Sequence, residues 1–389
     1  MVHKVSLILI LSVAIIDLLA LWRLQFKAIK IFKIVGATAL LNLLIIGTAF
    51  ARMVAGDIST TTLQIQMWVF AIFMIVTIPR IGFYLVAVWR RNKHSKIAGA
   101  FVAAALFATM VWSATYGRTN IEIKEVEIAS TKIPEAFDGY RIAQITDIHV
   151  GTLASPKREL QNLVETINKL DIDMVAITGD LVHMQHSELT PEIMQILAGI
   201  DGGTDGVISV LGNHDIGTYA NKTGAESDQE EAEMIEKQEQ MGWKVLQDET
   251  ITIRRGGKRI TVSGIAYKRG QHIINTSSAD VTAAYLGVPK SLFNITLVHM
   301  PQLWHSVKEL GYGGLTLAGH VHAMQTKIKL FGREYSPAQF LYKEWSGLYS
   351  DNEKESNLYI NDGFGYVVYP MRIGTRPEIT LFTLRHIKQ

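Results

Sequence analysis

The chain has no cysteine among its 389 residues. That excludes disulfides, thiolate metal ligands and cysteine nucleophiles, and it leaves the compartment open. Charge is scarce as well: Asp, Glu, Lys and Arg make up 19% of the residues, with a formal net charge of +2. No Lys/Arg tract is present, so nothing points to nucleic acid as a partner. Internal repeats and low-complexity linkers are also lacking.

What stands in place of charge is apolar sequence, 48% of the chain, and it is unevenly spread. Four long apolar segments, Val5–Trp22, Ile34–Val54, Met67–Trp89 and Ile97–Tyr116, fall in the first third. A helix needs about 20 predominantly apolar residues to cross ~30 Å of hydrocarbon. The expectation is a four-helix transmembrane domain over residues 1–117, followed by a second domain over residues 118–389. Arg23, Lys27, Lys30 and Lys33 lie between spans one and two, and Arg90, Arg91, Lys93 and Lys96 between spans three and four. The loop around Gly56–Thr62 has no basic residue. Short basic loops stay cytoplasmic, so everything after Tyr116 is expected outside, on an integral protein of the inner or plasma membrane. Asp17 and Arg80 sit within spans, where an ionisable group costs ~2.5–3.5 kcal/mol on insertion scales and normally has a partner. At 1.5 Å per residue both lie roughly 18–20 Å below the outer ends of their spans. An Asp17–Arg80 ion pair is therefore expected, with Asn42 nearby.

Beyond Arg118 short apolar runs alternate with polar, helix-like stretches, the pattern of an α/β domain. Five of these runs end alike. Arg141–Val150, RIAQITDIHV, closes on Asp147 and His149; Asp173–Leu181, DMVAITGDL, closes on Gly179 and Asp180. Gly206–Asp215, GVISVLGNHD, closes on Asn213, His214 and Asp215. Asn294–Met300, NITLVHM, closes on His299, and the run from Leu315, LTLAGHVH, closes on His320 and His322. Singly, such endings are mostly turns or loop mouths. In open α/β sheets, however, ligands bind at the carboxyl ends of strands. Oxygen and nitrogen donors without sulfur suit divalent manganese, iron or zinc.

With these five blocks in this order, residues 138 to 389 resemble the calcineurin-like metallophosphoesterase superfamily. The tail WSGLYSDNEKESNLYINDGFGYVVYPMRIGTRPEITLFTL looks like its membrane-associated bacterial branch. The resemblance implies a four-layer α/β/β/α sandwich and two divalent ions, manganese favoured. It places Asp147, His149 and His322 on one metal, Asn213, His299 and His320 on the other, and Asp180 between them. It makes His214 the catalytic histidine, with Asp215 as its orienter. One departure is Ala323-Met324, where this branch more often has two glycines; that bears on the shape of the substrate rim. Two such cations lower the pKa of a shared water from about 15.7 toward ~7 and clamp the phosphoryl oxygens. His214 then protonates the leaving group.

Other residues read more plainly. His183 and His186 read as solvent-facing loop histidines, with a role beside the metals or the substrate as the alternative, and His305 as structural. Ser227-x-x-Glu230 reads as a capping box opening a solvated helix. Phe331–Tyr349, with Tyr335, Phe340, Tyr342, Trp345 and Tyr349, reads as loop packing or as an apolar lip for a lipid. Arg372 and Arg376 read as surface residues. The expected function is a membrane-anchored phosphoesterase cleaving a phosphomonoester, phosphodiester or pyrophosphate bond, with a lipid or envelope substrate and membrane lipids as partners. The rivals are a cytoplasm-facing nucleotide or nucleotide-lipid hydrolase and a non-catalytic metal-binding sensor.

Overall fold

The computed structural model describes residues 2–24, 33–38, 40–44, 47, 59–220, 222, 224–268 and 281–388. The chain divides into two compact units. One is Met1–Gly117 with Val367–Ile373; the other is Arg118–Tyr366 with Gly374–Gln389.

In the first unit the apolar runs form helices Val2–Arg23, Thr60–Arg90 and Lys93–Trp112, the last continuing as a π-helical turn, Ser113–Gly117. The chain breaks between the second and third where Arg91 turns left-handed (φ 53°), and Asn92 then caps the next helix by accepting from the Ser95 amide at 2.8 Å. Thr60–Arg90 and Lys93–Gly117 are long and apolar enough to cross a membrane. They contain the third and fourth expected spans. The second expected span falls partly outside the described residues; among the described residues two helices of membrane length stand where four spans were expected.

Arg80 Nε lies 2.9 Å from the buried Asp17 carboxylate, the ion pair expected from span depth. Its third member is Thr38, whose hydroxyl accepts from Arg80 Nη1 at 2.7 Å. Asn42 is buried but has no side-chain hydrogen bond among the described residues. Arg372, expected at the surface, is fully buried in this unit, whereas Arg376 in the other unit is exposed.

The second unit is an α/β domain with two mixed six-stranded sheets. In chain order its strands begin with β1 (Glu122–Ser130), β2 (Arg141–Ile145), β3 (Met174–Thr178), β4 (Val207–Val210) and β5 (Lys244–Val245). Next come β6 (Glu249–Arg255), β7 (Lys258–Gly264), β8 (Asn294–Leu297) and β9 (Leu315–Ala318). The short pair β10 (Ile328–Leu330) and β11 (Arg333–Tyr335) precedes β12 (Gly347–Asp351), β13 (Ser356–Ile360) and β14 (Glu378–His386). One sheet runs β1-β14-β2-β3-β4-β5 and the other β12-β13-β9-β8-β7-β6. Pairs β2–β3, β3–β4, β7–β8 and β8–β9 are parallel, so their carboxyl ends align within each sheet.

The five expected runs all form strands. Four of them, β3, β4, β8 and β9, are buried at every residue, which is why they read as continuous apolar runs rather than alternating ones. The two sheets share one core: Ile142, Met174 and Ile208 from the first meet Val262, Ile295 and Leu317 from the second. The inserted helix runs Ala225–Gln240 and differs from the expected capping box. Ser227 lies inside its first turn and donates to the Ile216 carbonyl at 2.6 Å, while buried Glu230 binds His186 and Lys222. Those distant partners satisfy both side chains, so the reciprocal local cap is not made.

Candidate metal centre

Each donor sits just past a strand end, where the chain must turn sharply. Asp147, His149, Asp180, His320 and His322 all have positive φ, between 48° and 72°. Such conformations cost of order 1–3 kcal/mol each in non-glycine residues and persist where the surroundings over-determine them. Gly319 shows the crowding: a Cβ there would strike the Thr146 hydroxyl and the Asp147 carboxylate.

Two donor groups result. In one, His322 Nε2 is 3.0 Å from Asp147 Oδ1 and 3.1 Å from His149 Nε2. In the other, His299 Nε2 is 2.9 Å from Asn213 Oδ1, 3.2 Å from His320 Nδ1 and 3.1 Å from Asp180 Oδ2. The Thr178 carbonyl accepts from His299 Nδ1 at 2.8 Å, so Nε2 is the nitrogen turned toward the other donors. Ring nitrogens, carboxylate oxygens and an amide oxygen thus converge at hydrogen-bond distance of one another, placed so that each could ligate a common cation. The donor set fits divalent cations for that reason, as well as by its chemistry. Asp180 Oδ2 also lies 3.7 Å from His149 Nε2, so one carboxylate reaches both groups.

Electrostatics follow the same division. Burial opposes ionisation of Asp180 and Asp147, yet His299 and His214 around the first, and His322 beside the second, hold both carboxyls below the usual range. Burial and then His214 push His149 well below the ordinary imidazole value; burial and then His299 push His320 down to about 3. Burial opposes charge on His299 as well, but Asp180 raises it to about 9. The neutral imidazoles are therefore ready ligands, and positive charge is drawn to the point where Asp180, His299 and Asn213 meet.

His214 lies beside both groups, with Nε2 4.0 Å from Asp180 Oδ2 and its backbone amide donating to Asp180 Oδ1 at 2.8 Å. Its expected orienter, Asp215, is occupied elsewhere. The Asp215 carboxylate accepts from the amides of Asp180, Leu181, Val182 and Gly212 at 2.8–3.1 Å, tying two strand-end loops together. Orientation of His214 falls instead to the His183 carbonyl, which accepts from Nδ1 at 2.6 Å.

Of two site neighbours, Tyr219 escaped the sequence reading and His183 was expected to face solvent. The His183 ring stacks on His214 (4.7 Å between centroids, 29° between planes), and its Nδ1 is 3.4 Å from His149 Nδ1. The Tyr219 ring also stacks on His214, at 4.0 Å and 18°, and its hydroxyl accepts from Asn213 Nδ2 at 3.3 Å. Glu188 anchors the His183 loop by accepting from the amides of Gly151, His183 and Met184. His186 bonds Glu230 rather than solvent, and His305 pairs with Glu344 at 3.4 Å in a structural role, away from the donors.

The family model described as calcineurin-like phosphoesterase matches residues 140–324, which include every donor above. The chain carries a calcineurin-like phosphoesterase domain. Uncharacterized metallophosphoesterase YkuE of Bacillus subtilis is 27% identical over 76% of this chain and 97% of its own length. A transmembrane protein with metallophosphoesterase domain from Danio rerio is 29% identical over 81% of this chain and 70% of its own. Uncharacterized metallophosphoesterase YkoQ of Bacillus subtilis is 22% identical over 72% of this chain and 96% of its own. With the donor clusters, this makes the chain a metal-dependent phosphoester hydrolase. Its two membrane-length helices and its transmembrane relative point to membrane association.

Proposed function

We propose that the calcineurin-like phosphoesterase domain, over residues 118–389, is anchored by a four-span domain over residues 1–117 and hydrolyses a phosphomonoester, phosphodiester or pyrophosphate bond of a lipid or envelope substrate. Asp147, His149 and His322 hold one cation, Asn213, His299 and His320 the other, and Asp180 serves both. The observation that carries this reading is Asp180, whose carboxylate lies 3.1 Å from His299 and 3.7 Å from His149. Manganese is favoured among the cations that suit a sulfur-free set. When bound, two such cations activate water for in-line attack and neutralise phosphoryl charge.

The chain itself supplies orientation and a proton. Thr178 turns His299 inward, and Asp215 fixes the Asp180 loop against Gly212. His214, engaged at Nδ1 by the His183 carbonyl, presents Nε2 to protonate the leaving oxygen. The basic loops at Arg23–Lys33 and Arg90–Lys96 favour a catalytic domain outside the cytoplasm.

The test is hydrolysis of 4-nitrophenyl phosphate, bis(4-nitrophenyl) phosphate and a nucleoside diphosphate, one for each bond class, by the detergent-purified full chain. Activity should require manganese or a similar divalent ion, vanish on chelation and return on re-addition. Turnover unaffected by metal stripping, or absent with every divalent ion, would contradict the reading.

A further inference from the structure

The segment after the His320-x-His322 loop does not pack as a loop. Strands β10 and β11 pair antiparallel, Ile328 opposite Tyr335 and Leu330 opposite Arg333, and every residue of both is exposed. The connecting Phe331 and Gly332 both have positive φ (51° and 79°), a tight turn that projects Phe331 fully into solvent. The following turn adds Phe340 at 82% and Leu341 at 62% exposure. An isolated two-stranded hairpin is marginal in water, and a contiguous exposed apolar patch marks an interaction surface.

We propose that residues 328–341 form a lip that seats in the headgroup layer of an anionic lipid bilayer. Charge decides the occupant. Lys329 and Arg333 are exposed around the apolar tip, while Glu334 is paired with Lys327 at 3.2 Å and Glu344 with the exposed Lys343 at 3.6 Å. An aromatic tip ringed by cations matches the acyl boundary below and anionic headgroups above. The chain also carries its own membrane-length helices, which keep it with a lipid surface.

The lip is joined to the metal site. Ser336 donates to the Ala323 carbonyl at 2.6 Å, and the Tyr342 ring lies 6.2 Å from that of His320. Exposed Met324 carries apolar surface from the lip toward His322. Docking the lip brings a lipid surface to the mouth of the site.

The absence of native cysteine makes the test direct. Full chains carrying Phe331→Cys or Phe340→Cys, labelled with an environment-sensitive fluorophore, are placed in phosphatidylcholine nanodiscs with or without phosphatidylglycerol. Both side chains are exposed, so neither substitution disturbs packing. A Lys258→Cys label at the exposed start of β7 is the control. At 331 and 340 emission should shift to the blue and be quenched by lipids bearing a nitroxide near the headgroup, more strongly with phosphatidylglycerol, while position 258 is unaffected. Leu330→Asp should reduce the quenching at 331 several-fold. Labels that stay water-exposed in both lipids would overturn the proposal. So would a blue shift that lipid quenchers do not touch, because it would mean that protein covers the lip.

Discussion

His214 is held from three directions, by the His183 carbonyl at Nδ1 and by the rings of His183 and Tyr219. It touches the donors without belonging to either group, so removing it should spare the metals. His214→Ala is expected to retain metal while turnover falls by roughly 10²–10⁴-fold, the range for a positioned general acid. The loss should be smaller for nitrophenyl esters, whose leaving group needs little protonation. Metal analysis beside turnover on alkyl and aryl esters checks this; loss of metal would make His214 a ligand. The convergence of the seven proposed donors was legible because each ends an apolar run. Tyr219 was not, and His183 was expected to face solvent, since ring stacking depends on loop paths that no local pattern records. Asp215 was misread for a related reason: its place beside His214 in sequence suggested contact, but four amides from folded loops claim its carboxylate.

Among elements, the β9 end shows how tightly the strands deliver their donors. Gly319 leaves no room for a methyl group between the Thr146 hydroxyl and the Asp147 carboxylate. Gly319→Ala should cost about 1–3 kcal/mol, the usual penalty for overpacking, and displace Asp147. Thermal unfolding would read the first effect and metal content the second; a variant with unchanged midpoint and full metal would show that the crowding is relieved at no cost. Beyond His322 the chain holds Ala323 and Met324 left-handed (φ 46° and 47°), although the family pattern favours glycine there. Holding two residues with a Cβ in that conformation costs ~1–2 kcal/mol per residue. Strands were readable because burial on both faces leaves a continuous apolar signature. The start of the Ala225–Gln240 helix was not, because Ser227 and Glu230 bond to groups remote in sequence.

At the scale of the molecule, hydropathy identified the membrane-length helices, and span depth identified the Asp17–Arg80 pair. Depth counting works because helical rise is constant; it could not choose Thr38 over Asn42 as the third member, since that depends on the rotation of one helix against another. The burial of Arg372 was equally hidden, because Val367–Ile373 belongs to the helical unit despite its place far along the chain. The proposed topology predicts that a reporter fused after Gln389 and active only outside the cytoplasm gives signal. Activity from a reporter that works only in the cytoplasm would contradict it.

Metal stoichiometry of Asp180→Asn against the unaltered chain bears most directly on the dinuclear site. The substitution keeps the side chain's size and removes the charge that both donor groups share. The unaltered protein should bind two divalent ions per chain, on the two-metal pattern, and the variant should lose both bound metal and turnover sharply. A variant that keeps two ions and near-native turnover would contradict the assignment of Asp180 and the site built around it.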